Sequence, residues 1–220
     1  MTRTITVRGT GSLAAKPDLT VLILSLEARA PLYEQALKQA EAGAAALRSA
    51  AAASGFGPDE LKTEDFRVRT EYRDVRDRQG GCRQAPAGYV CAYTYRLSFG
   101  LDAGRLSAVL SAIAASGANP AFAIEFTVRE PERLREELLA RAAENARSRA
   151  EILCRASGAG LGQLLSIDCS WDEVDIVSPT RAEAGGLCLA SAAEGACCAP
   201  ALEPEDIRVS DTAAFVWELR

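Results

Sequence analysis

Alternating strand-like runs interleaved with three amphipathic helical segments predict an α+β fold. Apolar residues recur at every second position in separate runs along the chain, and several of these runs follow one another with no helix between them. The order reads ββαββαβαββ, which implies antiparallel sheet with three helices packed on one side. A single domain over residues 1–220 is expected, with one long irregular loop at about 174–204.

The first block runs from Ile5 to Gly11, turns at Lys16, Pro17 and Asp18, and continues as a second strand from Leu19 to Ala28. Proline fixes the backbone at that turn, and Asp18 can bond nearby amides. The first helix is expected over Leu32–Ala53, because Ala36, Leu37, Ala40, Ala44 and Leu47 recur at steps of three and four. Pro31 precedes it, and Gly55, Gly57 and Pro58 end it. From Leu61 to Asp74, Phe66, Val68, Thr70 and Tyr72 alternate with Arg67, Arg69, Glu71 and Arg73, the pattern of a half-buried strand. A charged, glycine-rich loop follows. Tyr89, Cys91, Tyr93, Tyr95, Leu97 and Phe99 then share one face of a second long strand, and the two strands are expected to form a hairpin. This aromatic row reads as a packing face, with a ligand platform as its functional alternative.

The second helix is predicted over Leu106–Ala115, ending at Gly117, and Phe122, Ile124, Phe126 and Val128 alternate as the next strand. Pro131 opens the longest helix, which runs to about Ser157 with Leu134, Leu138, Ala142, Ala146, Ala150 and Leu153 as its apolar stripe. Its dense mixed charge reads as a solvated face held by pairs three and four residues apart. Gly158, Gly160 and Gly162 follow a helix and precede a strand from Leu164 to Trp171. That is the reverse of the order that aims a helix N-terminus at phosphate, so they read as a helix C-cap. Ile207, Val209, Ala213, Phe215, Trp217 and Leu219 alternate in the closing strand.

Composition limits the chemistry. With 220 residues the chain can bury roughly 70–75% of its unfolded surface, enough for an ordinary core. Its net charge of -5 supplies no basic excess for phosphates, so nucleic acid is not an expected partner. No stretch has the ~18 uninterrupted apolar residues of a membrane span, and no apolar leader opens the chain, so a cytoplasmic protein is expected. Histidine is absent, which excludes a Ser/His/Asp triad, a histidine base and imidazole-ligated zinc. The seven cysteines are odd in number and irregularly spaced, so reduced thiols are expected.

Cys188, Cys197 and Cys198 share one Gly/Ala/Ser segment, where thiolates could hold a soft metal with Cys82 as a fourth ligand, or sense oxidants. Against that stands the lack of the two-residue spacing of zinc knuckles. Cys91, Cys154 and Cys169 fall on faces that read as core. The acidic groups Asp59 with Glu60, Glu64 with Asp65, and Asp172 with Glu173 and Asp175 lie at turns and strand ends, where carboxylates solvate or cap. Only the last, beside Trp171, retains a candidate catalytic reading. No catalytic residue and no cofactor site is assigned.

In order and spacing these residues resemble the SIMPL domain family, which includes bacterial proteins described as oxidative-stress defence and periplasmic immunogenic proteins. The resemblance rests on Ile5 to Gly11 with Lys16, Pro17 and Asp18; on Lys62, Thr63 and Phe66; on Gly88 and Tyr89; and on Gly117, Ala118 and Asn119 before Phe126. It continues through the Ala-rich charged helix, Gly158, Leu161 and Gly162 before Ser166 and Ile167, and the strand after Glu205 and Ile207. The resemblance implies an α+β fold, assembly of some members into large rings, and an association with stress tolerance or signalling adaptors. It supplies no catalytic residues. Pro204 and Glu205 replace the family's usual Pro-Gly, and the export signal of many relatives is missing from the chain. The expected function is therefore a non-enzymatic protein that forms a homo-oligomer or binds a protein partner, with a thiol redox or soft-metal protein as the alternative.

Overall fold

The computed structural model describes residues 3–76, 82–169, 174–184 and 202–220. Its elements run β1 (Thr4–Ala15), β2 (Leu19–Ala30), α1 (Tyr33–Ala53), β3 (Leu61–Arg76), β4 (Cys82–Gly100), α2 (Ala103–Ala115), β5 (Ala121–Thr127), α3 (Pro131–Ser157), β6 (Leu161–Cys169), β7 (Ala182–Ala184) and β8 (Ile207–Leu219). The α+β class is borne out, with three helices and two antiparallel sheets among the described residues. A three-residue strand, β7, lies in the stretch expected to be irregular.

The chain gathers into two compact units, one of Met1–Asp18, Thr127–Pro179 and Pro204–Arg220, the other of Leu19–Phe126 and Thr180–Glu203. The first unit holds the sheet β1-β8-β6. Here β1 pairs antiparallel with β8 along its whole length, from Thr4 opposite Glu218 to Ala15 opposite Ile207. The strands β1 and β2, though consecutive, therefore belong to different sheets. Their turn is tied locally: the Asp18 amide donates to the Thr127 carbonyl at 3.0 Å, and the Asp18 carboxylate accepts from the Arg129 amide at 2.8 Å. Asp18 thus bonds an amide distant in sequence and not one in its own turn.

α3 packs on this sheet through Leu138, Ala142, Ala146, Ala150 and Cys154, a stripe that advances by four residues at each step. Leu153, predicted in the stripe, is exposed, and Cys154 takes its place. Gly9 and Gly11 of β1 lie directly beneath the helix. A Cβ at Gly9 would stand 2.0 Å from the Ala142 carbonyl oxygen, and one at Gly11 2.0 Å from that of Leu138. The helix ends as predicted. Gly158 adopts a left-handed conformation with φ 70°, the Ala159 amide donates to the Cys154 carbonyl at 2.9 Å, and the Gly158 amide donates to that of Arg155. Such a cap needs a residue free of Cβ strain.

The second unit holds the sheet β3-β4-β2-β5-β7. β3 and β4 form the predicted hairpin, with bulges between Thr63 and Asp65 and between Glu71 and Tyr72. Leu22, Leu24 and Leu26 of β2, Tyr95, Leu97 and Phe99 of β4, Leu47 of α1, and Leu106, Val109, Leu110 and Ile113 of α2 form its core. α2 begins three residues earlier than the apolar pattern suggests, because the Asp102 carboxylate caps it, accepting from the amides of Gly104 at 2.8 Å and Arg105 at 3.0 Å. β3 differs from expectation: Phe66, Val68 and Tyr72 are 42%, 40% and 57% exposed, not half-buried in the core. It is an edge strand, and α1 lies over β2 and β4 instead.

Candidate functional site

Of the sequence-predicted candidates, Cys188, Cys197, Cys198, Asp172 and Glu173 lie outside the described residues, as does Trp171. Cys82 opens β4, but its side chain also lies outside them. Asp175 is exposed. Cys91 and Cys154 are buried and Cys169 is half-buried; all three are free thiols. Burial pushes the Cys91 thiol up, away from the thiolate a nucleophile or metal ligand requires. Among the described residues, no three Cys, Asp or Glu side chains converge as metal ligands.

Of the remaining acidic candidates, Asp65, Glu64 and Glu60 are engaged locally. Asp65 pairs with Arg67 at 2.6 Å, Glu64 with Arg96 at 3.7 Å, and Glu60 accepts from the Gly57 amide. On β2 and β3, Glu27, Arg29, Arg69 and Glu71 form a chain of ion pairs at 3.0–3.6 Å, all substantially exposed. The extra bonding and charge from Glu27 and Glu71 raise the Arg29 guanidinium further above its already high range. Paired opposite charges in water contribute little to stability.

The aromatic row packs as expected except at Tyr89, which is 36% exposed. Cys91, Tyr95, Leu97 and Phe99 are buried, Tyr93 stacks on Tyr95 at 5.6 Å, and Phe66 tilts onto Tyr93 at 4.4 Å. Burial pushes the Tyr95 hydroxyl above its ordinary range, opposed by the Arg48 guanidinium over its ring.

Two features of the three-stranded sheet have clearer consequences. Along α3, Arg141, Asn145 and Arg149 lie one turn apart, at spacing i, i+4 and i+8. Arg141 donates to the Ser12 carbonyl at 3.0 Å, Asn145 accepts from the Thr10 amide at 3.2 Å, and Arg149 donates to the Arg8 carbonyl at 3.0 Å. Since β1 neighbours only β8, these are backbone groups of its free edge. The helix therefore occupies three of the hydrogen-bonding positions that another strand would need, all in the middle of β1. Sequence reasoning assigned all this charge to solvent. The repeated four-residue spacing of long polar side chains was the available signal, but nothing in it names β1 as the target. The other charges of α3 do pair as predicted, Glu132 with Arg135, Glu137 with Arg141 and Arg147 with Glu151.

At the opposite edge, β6 is bare. Leu164, Leu165 and Ile167 are 47%, 51% and 53% exposed, although β6 pairs with β8, regularly so from Ser166 to Cys169. A cleft of about 440 Å³ separates β6 from α3, floored by Phe215 and Trp217, which stack at 5.6 Å, and rimmed by Arg147 and Glu151. α3 reaches β1 and β8 and barely touches β6, so the apolar side of β6 has no cover. The arrangement offers apolar surface and an open strand edge, features suited to binding.

No helix among the described residues is long and apolar enough to cross a membrane. A search of curated proteins returns no match. The family profile described as SIMPL, protein of unknown function (DUF541), matches residues 5–217, nearly the full length. With the sheets, the long Ala-rich helix and its glycine cap in place, the chain belongs to the SIMPL family.

Proposed function

We propose that this SIMPL protein is a non-enzymatic module that acts by association, with copies of itself or with a protein partner. One observation carries this reading: Leu164, Leu165 and Ile167 stand exposed together on one edge strand. Isolated exposed apolar residues are ordinary, but a run of them along an open strand edge is a liability unless another surface covers it. Several acids support the same reading, since Glu27 and Glu64 are spent on exposed ion pairs and Asp102 on a local cap. Mass measurement of the full chain in solution tests it. A concentration-dependent mass above 23.3 kDa is expected. A strictly monomeric chain that retains no protein from lysate would refute it.

A further inference from the structure

The two sheets have four outer strands, and among the described residues three of them are blunted in different ways. β3 carries Lys62, Glu64, Arg67, Arg69 and Arg73 along its length. β7 is only three residues long. β1 has three of its outward backbone groups, those of Arg8, Thr10 and Ser12, bonded by Arg149, Asn145 and Arg141. Charged side chains, short strands, bulges and covered backbone are among the devices by which proteins prevent strand addition. β6 carries the least of them from Ser166 onward: in its nine residues Asp168 is the single charged side chain, there is no proline, and no helix among the described residues covers it. Its two register shifts fall before Ser166, and from Ser166 to Cys169 its ladder with β8 is regular.

From this asymmetry we infer that β6 is a dimerisation edge, pairing antiparallel with β6 of a second copy. This rests on the association reading above and names its partner and surface. A copy is the fitting occupant because the strand is complementary to itself. A two-fold antiparallel pair sets one residue opposite its own copy, and centring it on Ile167 sets Ile167 opposite Ile167 and Ser166 opposite Asp168. The one charge then meets a serine, and no like charges oppose. The capped β1 edge settles the symmetry. A head-to-tail arrangement through this sheet needs β6 of one copy to reach β1 of the next, where the α3 side chains already hold the backbone. The pairing left is two-fold and closes on itself.

Sedimentation velocity on the full chain across a concentration range, with the double variant Leu165→Lys and Ile167→Lys beside it, tests the inference. Both positions are about half exposed, so the monomer should keep its circular dichroism and melting temperature. Each lysine enters a two-fold interface twice, and the dimer dissociation constant should rise by ~100-fold or more. Hydrogen exchange on the unmodified chain gives a second readout that does not depend on a variant folding. The amides of residues 164–169 should slow as concentration rises, while the β1 edge stays constant. If the native chain associates but the variant associates equally well, and exchange at 164–169 ignores concentration, the β6 pairing is overturned and the association reading stands. A native chain that stays monomeric and retains no partner overturns both.

Discussion

Gly9 and Gly11 determine how closely α3 can approach β1. The helix presents alanines at its contact positions and the strand presents glycines, so backbone rests almost on backbone. A methyl group at either glycine would have to occupy space already filled by a helix carbonyl oxygen, which cannot rotate away as a side chain could. Gly9→Ala or Gly11→Ala should therefore force α3 off the sheet and lower unfolding free energy by ~1–3 kcal/mol or more. Urea denaturation would check it, with an unchanged midpoint counting against the close approach. Gly55, where a Cβ meets nothing within 4 Å, gives the control for added bulk, though its positive φ carries a strain of its own. In the sequence the Gly-Thr-Gly of the opening strand looked like part of a family pattern without a physical cause. The cause lies some 130 positions along the chain, in the alanine stripe, and pairing the two needed coordinates. Asp18 is a similar case, because the amide it accepts from belongs to Arg129 and not to its own turn.

At the scale of elements, signals carried by neighbouring residues were legible. Pro131 and Gly158 bracket α3, and the β3–β4 hairpin forms where two alternating runs flank a loop. Alternation reports which side chains share a face, but not whether anything lies over that face. For that reason β3 reads as half-buried and is exposed: its apolar row is real, and α1 sits one strand further in. The same gap hid the bare flank of β6. The start of α2 could have been read, since Asp102 stands three residues before Arg105 and aspartate is a favoured N-cap. Its carboxylate satisfies two amides that the helix cannot. Asp102→Ala should cost ~1 kcal/mol, and Asp102→Asn much less, because the amide oxygen can still accept. Thermal melts of both variants would test this, and equal losses would mean that the charge matters more than the bond.

For the whole molecule, the two units differ in how they use the chain. One is built mainly from the continuous stretch Leu19–Phe126, so its sheet joins neighbours such as β3 and β4. The other is assembled from both ends: β8 is the middle strand of β1-β8-β6, and its partner β1 begins at Thr4. Loop closure over such a separation is paid before any contact repays it, so this sheet should form late and depend wholly on its last strand. Without β8, β1 and β6 have no shared neighbour, and α3 loses Val209, Ala213, Phe215 and Trp217 from the apolar clusters it packs into. Deleting residues 207–220 should therefore release the amides of β1, α3 and β6 to fast hydrogen exchange. Those of β2, β4, α1 and α2 should keep most of their protection, because every residue in their shared core lies outside the deleted strand. Uniform loss of protection across both groups would show that the continuous unit cannot hold its fold alone, and that the chain folds as one cooperative body.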